Sequence, residues 1–132
     1  MGQQAVVQES VHEPTRLLLV DDELDLLSAL SEILTEQGYA VVSTWEGEEA
    51  VEIARLFEPN VLVTDFRLPG IDGVTTIRRI REDCPRVRAI LVSGHISSQT
   101  RTRAEEEQVD EMFHKPVSIP DLLRALRERE AT

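Results

Sequence analysis

The chain is poor in the residues that staple a fold together: of its 132 residues only Cys84 is a cysteine. A lone thiol excludes an internal disulfide framework and leaves no cysteine spacing for a zinc site. Cys84 is therefore read as a small core or helix-end residue. Long apolar runs are missing too. The longest are four residues (Leu17 to Val20, Tyr39 to Val42, Ala89 to Val92), far below the ~18–20 that a membrane span requires. Residues 1–13 carry no Lys or Arg and no long apolar stretch, so both parts of a secretory signal are lacking and a cytoplasmic location is expected. Positive charge is the third scarcity, with 14 Lys+Arg against 25 Asp+Glu and a formal net charge of −11. That balance disfavours direct contact with nucleic acid or an anionic membrane, and it points to metal ions, cationic groups or other proteins as partners.

What the chain does have is a repeat. Each short apolar run, together with Val61 to Val63 and Glu111 to His114, has the length of a strand and is followed by a segment with helical spacing. Leu26, Leu27, Leu30, Ile33 and Leu34 recur at helical intervals and stop at Gly38, where a helix C′ glycine belongs. Ala50, Val51, Ala54 and Phe57 make a second helix, ended where Pro59 pushes Glu58 out of the right-handed α region. Val74, Ile77, Ile80 and Cys84 make a third, closed by Pro85. Ser97 to Gln108 is polar and carries the weakest helical pattern. Ser118-Ile119-Pro120-Asp121 reads as a helix start with serine as N-cap, and Ile119, Leu122, Leu123 and Leu126 then face the core. Five strands alternating with five helices predict an α/β fold with a doubly wound parallel sheet. Residues 1–15 read as a flexible tail and 16–130 as the domain; no second domain is expected. With 41% hydrophobic content, one core is filled.

Ligands of open α/β sheets bind beyond the carboxyl ends of the strands, so the residues just past each apolar run carry the chemistry. These are Asp21 and Asp22, then Asp65, Ser93 and Lys115. Three carboxylates on one edge repel, two unit charges ~4 Å apart by about 4 kcal/mol at an effective dielectric near 20, and a folded site needs a cation to hold them. Oxygen-only ligands with few protein groups suit Mg²⁺ or Mn²⁺ better than zinc. Helix capping alone is the competing role for Asp21 and Asp22. Lys115 is the one lysine of the chain, and a compact ammonium is a point-charge phosphate binder. Ser93 adds a hydroxyl. Together they specify phosphoryl transfer to an aspartate, with Asp65 the best nucleophile because it stands alone on its strand end. Glu23 and Asp25 are expected to complete the metal-binding edge. Glu46, Glu48, Glu49 and Glu52 are expected on a solvated second helix, and Arg78, Arg79, Arg81, Arg86 and Arg88 on a solvated face pairing with local acids. Trp45 reads as a rim residue.

In LLLVDDE (17–23), VLVTDFRLPGIDG (61–73), ILVSG (90–94) and FHKP (113–116), taken in order, the chain resembles the receiver domain of two-component response regulators over residues 16–129. The resemblance implies a flavodoxin-like (βα)5 fold of strand order 2-1-3-4-5. It implies Asp65 as phosphoacceptor, with Asp22, Asp65 and the backbone carbonyl of Arg67 binding Mg²⁺ and Asp21 acting through water. Ser93 becomes the switch hydroxyl, Lys115 the phosphoryl-binding lysine, and Lys115-Pro116 a cis peptide. One position departs from the family: Met112 stands where a switch tyrosine or phenylalanine is usual, which puts an aromatic rotamer switch coupled to Ser93 in doubt. Arg67 and His95 occupy positions that tend to tune phosphoryl lifetime in the family.

The function expected is a single-domain regulator that takes a phosphoryl group from a histidine kinase or phosphotransfer protein. It then switches a surface around the fourth helix, fifth strand and fifth helix, as a monomer or a phosphorylation-dependent dimer, without being a turnover enzyme. A receiver excised from a hybrid kinase or larger regulator is the alternative. An aspartate-nucleophile phosphatase of the haloacid dehalogenase type needs an acid two residues after its nucleophile, and that position is Arg67. A flavin-binding protein of the same topology is opposed by Asp21-Asp22-Glu23, which repel a phosphate. A degenerate receiver needs a missing site residue, and none is missing.

Overall fold

A computed structural model describes residues 13–130 of the chain. The elements run β1 (Arg16–Val20), α1 (Leu24–Glu36), β2 (Ala40–Thr44), α2 (Gly47–Phe57), β3 (Val61–Asp65), α3 (Gly73–Asp83), β4 (Arg88–Ser93), α4 (Ser98–Glu106), β5 (Glu111–His114) and α5 (Ile119–Glu130). The five strands form one sheet in the order β2-β1-β3-β4-β5, every neighbouring pair parallel. This is the doubly wound flavodoxin-like arrangement expected from the repeat and the resemblance. No helix among the described residues is long and apolar enough to cross a membrane. The flexible tail expected over 1–15 lies mostly outside the described residues; at its end the Thr15 carbonyl accepts the Ala40 N–H at 2.9 Å.

Alternation along the strands divides the core in two. Leu18, Val20, Leu62, Ala89 and Leu91 face α2, α3 and α4 and bury Ala50, Val51, Ala54, Val74, Ile77, Ile80 and Ala104 with them. Leu17, Leu19, Val61, Val63, Ile90 and Val92 point the other way and bury Leu27, Leu30 and Leu34 of α1 with Leu122 and Leu126 of α5. Apolar surface removed from water at roughly 25 cal/mol per Å² holds both layers on the sheet.

Local chemistry sets the element ends. After α1 the Tyr39 N–H returns to Leu34 O at 3.2 Å and the Gly38 N–H to Thr35 O at 3.0 Å, with Gly38 at φ 102°, a Schellman stop that only glycine adopts without strain. For that reason β2 starts at Ala40 and not at Tyr39, and it runs on to Thr44 because ladder bonds are made by backbone and need no apolar side chain. The same reason extends β3 to Asp65 and β4 from Arg88 to Ser93. Glu58 leaves the right-handed region, as Pro59 demands, into the left-handed one at φ 50°. The polar fourth helix forms over Ser98–Glu106, where Ser97 Oγ accepts the Thr100 N–H at 3.1 Å and Thr100 and Ala104 are its buried residues. Ser118 Oγ accepts the Asp121 N–H at 3.3 Å, as its N-cap role requires. Cys84 caps the C-terminus of α3.

The expected solvated arginine face does not exist as a unit. Arg78 and Arg86 are exposed, but Arg81 reaches the carbonyls of Val87 and Gln108 and the Asp110 carboxylate, at 3.0–3.1 Å. Arg88 is buried, with an amino group donating to Ala125 O at 2.8 Å and paired with Glu111. Its place on β4 turns it towards α5, because side chains alternate faces along a strand.

Candidate functional site

Strand order brings the sequence-predicted residues to one edge. Asp21 and Asp22 follow β1, Asp65 ends β3, Ser93 ends β4 and Lys115 follows β5. Asp21 and Asp65 are each 6% exposed, whereas Asp22 faces solvent. One carboxylate oxygen from each of Asp21, Asp22 and Asp65 lies within 4.8 Å of the others. Lys115 reaches into this cluster: its Nζ stands 3.0 Å from Asp65 Oδ2, 3.1 Å from Asp21 Oδ2 and 2.7 Å from Glu23 Oε1. The Lys115 N–H donates to Ser93 O at 2.9 Å, and the bond to Pro116 is cis, as the resemblance implied.

The electrostatics follow from burial. Desolvation raises the Asp65 carboxyl above its ordinary range; Lys115 opposes the shift and the neighbouring Asp21 adds to it, while the Arg67 N–H stabilises the carboxylate. Burial pulls the Lys115 ammonium down, but hydrogen bonds to Glu23, Asp65 and Asp21 outweigh it and raise the lysine above its ordinary value. Lys115 thus stays charged and serves as resident countercharge for carboxylates that otherwise repel. An opening of about 330 Å³ lies over them, lined by Asp22, Glu23, Asp65, Arg67, Gly94, His95 and Lys115. An oxygen-only donor set with two members buried fits a hard divalent cation, and it is the only such group of His, Cys, Asp and Glu among the described residues.

Not every predicted residue joins. Ser93 Oγ donates to His95 O at 2.9 Å and accepts the His95 N–H at 3.2 Å, so its hydroxyl is satisfied inside its own loop. Met112, opposite Leu91 in the ladder, packs on the core layer under α3 and α4 and does not line the opening. The acidic run 21–25 does not act as one metal-binding edge: Glu23 turns to Lys115 and Asp25 is an exposed residue of the first turn of α1, because successive side chains at a helix start diverge.

Three contributions went unread in the sequence. Glu23 as a partner of Lys115, and not of a metal ion, is one. Gly73 is another: a Cβ there would stand 2.2 Å from the backbone oxygen of Asp65, so only glycine lets α3 begin against that loop. The third is the pair of Asp72, N-cap of α3, with Arg103 of α4. Arg103 Nη1 lies 2.7 Å from Asp72 Oδ2, and its guanidinium stands 5.8 Å from the ring centroid of Phe66, the residue after Asp65. Asp72 carried a sequence signal as a capping residue before an apolar pattern; its partner 31 positions away carried none.

Comparison with known proteins gives the family and agrees with the fold. The model of the response regulator receiver domain matches residues 17–127. The chain is 31% identical over 127 residues to the transcriptional regulatory protein TrcR of Mycobacterium tuberculosis, covering 96% of this chain and 49% of that protein. It is 33% identical over 115 residues to the transcriptional regulatory protein PdtaR of the same species, covering 86% and 55%. The chain spans about half the length of these curated relatives. Among solved structures, a CheY-like receiver domain protein from Methanospirillum hungatei superposes with TM-score 0.84 at 26% identity, covering 88% of this chain and 93% of that one. A response regulator from Burkholderia pseudomallei, solved with a phosphorylated aspartic acid, calcium ion and citrate, gives 0.78 at 25% identity over 89% and 71%.

Proposed function

Because this chain belongs to the response regulator receiver family of two-component systems, we propose that it accepts a phosphoryl group from a histidine kinase or phosphotransfer protein onto Asp65, with Mg²⁺ or Mn²⁺ as cofactor. The observation that carries this reading is the contact of Lys115 Nζ with Asp65 Oδ2 at 3.0 Å on the floor of the opening, beside two further carboxylates. In the step, Asp65 Oδ attacks the phosphorus of a phosphohistidine. An O–P bond forms, the P–N bond breaks, and its electron pair stays on the imidazole, whose other ring nitrogen carries a proton, so the ring leaves as neutral histidine. Hydrolysis reverses the state: water attacks phosphorus and the carboxylate and inorganic phosphate are released.

Asp22, Asp65 and the backbone carbonyl of Arg67 would hold the divalent ion, with Asp21 acting through water. When bound, that ion supplies positive charge to the phosphoryl oxygens. The chain's own residues do the rest. Lys115 supplies a fixed ammonium donor for the charge that develops on the transferring group. Ser93, one residue from the ladder partner of Asp65, supplies a hydroxyl once its bond to His95 O is released. Burial keeps Asp65 poorly solvated and therefore ready to react. The phosphorylated domain then shifts a conformational equilibrium and presents an altered surface on α4, β5 and α5 to a downstream protein, in the cytoplasm, as a monomer or a phosphorylation-dependent dimer. Met112 removes the aromatic ring from that switch without touching the chemistry at Asp65. No observation favours a phosphatase, since the second acid that such an enzyme needs is replaced by Arg67.

Incubation with Mg²⁺ and acetyl phosphate, followed by intact-mass measurement under conditions that preserve acyl phosphates, tests the reading. One phosphoryl group is expected on the natural protein and none on Asp65→Asn. An unmodified natural protein overturns it.

A further inference from the structure

The Lys115 ammonium has three protons and three carboxylate partners, so every donor it owns is taken. A phosphoryl group on Asp65 brings new anionic oxygens that require one of those donors. Two of the three partners are in no position to yield. The Asp21 side chain is 9% exposed and its Oδ1 is held by the Glu23 N–H at 2.8 Å; Asp65 is 8% exposed and is itself the acceptor of the group. Glu23 differs: its side chain is 61% exposed, makes the shortest of the three contacts at 2.7 Å, and loses little on returning to water.

Resting on the reading of Asp65 as phosphoacceptor, we propose that Glu23 is a positioning residue that competes with the phosphoryl group for Lys115. In the resting state it anchors the lysine from the solvent side of the opening, which it also lines. When the phosphoryl group arrives, the Lys115 to Glu23 bond is the one exchanged. The strength of this exposed ion pair therefore biases the domain against its phosphorylated state and sets how readily that state is reached. Glu23 lies outside the carboxylate group that suits a metal ion, so the bias does not act through a metal ligand.

Competition and plain charge repulsion at the mouth of the opening predict different behaviour of a charge-conserving variant. Glu23→Gln removes both effects, whereas Glu23→Asp keeps the charge but is one methylene short of Lys115. The probe is beryllofluoride, a tetrahedral phosphoryl mimic, titrated at saturating Mg²⁺ against the natural chain, Glu23→Gln, Glu23→Asp and, as a control for site occupancy, Asp65→Asn. Expected is about threefold tighter binding for Glu23→Gln, the range that exposed ion pairs are worth, with Glu23→Asp matching it. The ammonium ¹⁵N resonance of Lys115, unambiguous because the chain has one lysine, should also move in both variants before any ligand is added. Unchanged affinity in Glu23→Gln, a Glu23→Asp that behaves like the natural chain, or a Lys115 resonance indifferent to both variants each overturns the proposal while leaving Asp65 as acceptor. Failure of beryllofluoride to bind the natural chain overturns both readings.

Discussion

Gly73 begins α3 directly against the backbone of Asp65, so close that an added Cβ would lie 2.2 Å from the Asp65 carbonyl oxygen and 3.0 Å from Leu91 Cδ1. The contact is fixed on both sides, since the Gly73 N–H donates to Phe66 O at 2.7 Å and the Phe66 N–H to Val92 O at 2.8 Å. The Asp65 loop is therefore clamped between a helix start and β4.

Replacing Gly73 with alanine must displace the Asp65 loop, since the obstacle is backbone and cannot rotate away. Gly73→Ala should lose about 1–3 kcal/mol of stability, the usual range for overpacking, and should slow modification by acetyl phosphate more than tenfold. Gly94→Ala is the control: nothing lies within 4 Å of its added Cβ, and a change within about 0.5 kcal/mol is expected. Urea denaturation of both variants decides; equal stabilities contradict the steric account.

A double-mutant cycle can measure the tie between α4 and the Asp65 loop. Arg103→Gln removes the ion pair and the contact with Phe66, whereas Asp72→Asn keeps the capping oxygen for the Thr75 N–H, now 2.8 Å away. At 40% and 31% side-chain exposure the coupling should be about 0.5–1 kcal/mol. Burial alone would raise the Asp72 carboxyl, but hydrogen bonds from Arg103 and Thr75 outweigh it and hold it below its ordinary value of 3.8. A depressed folded value means that the stabilisation is complete above 3.8 and fades as pH falls through the lower value. The cost of Arg103→Gln should then be constant from pH 7 to 5 and shrink in strong acid. Thermal melts that show a pH-independent cost argue against the pair.

Adding Mg²⁺ should raise the melting temperature, since three carboxylates within 4.8 Å gain a cation that the unfolded chain does not hold. At a hundredfold excess over Kd the gain is about 2.7 kcal/mol. Asp22→Asn should abolish most of it and a chelator should reverse it. A melt indifferent to Mg²⁺ excludes this cluster as the ion's site.

Glu111 neutralises a buried guanidinium, so its loss should cost more than the loss of the pair. Glu111→Met leaves the Arg88 charge with Ala125 O as its remaining acceptor and Nε without a partner among the described residues. A cost of about 2 kcal/mol is expected, below the 3–5 of a wholly buried pair because Glu111 is 36% exposed. The double variant Arg88→Met with Glu111→Met should recover most of it. Denaturant midpoints in which the double variant is the least stable would reverse the argument.

Legibility in the sequence follows the range of the interaction. The Schellman stop at Gly38, the serine cap at Ser118 and the core faces of α1 and α5 rest on residues within one or two turns of each other, and local spacing displays such pairs. Strand ends were displaced wherever backbone pairing outran the apolar run, as at Ser43 and Thr44, because the partner strand supplies the bonds and its position is not local information. Met112 was visible as a departure, yet only its packing on the core layer beside Leu91 shows where its side chain went.

By itself the sequence determined the βα alternation, one core with two layers, and the convergence of Asp21, Asp22, Asp65, Ser93 and Lys115 on one sheet edge, since these follow from periodicity and chain direction. The tertiary structure alone decided which charges meet. Glu23 finds Lys115 across 92 positions, Arg103 finds Asp72 across 31, and Arg88 turns inward to Ala125. Such pairings depend on side-chain direction and on separations of a few ångströms. Those distances are set when helices dock on the sheet, after local preferences have done all they can.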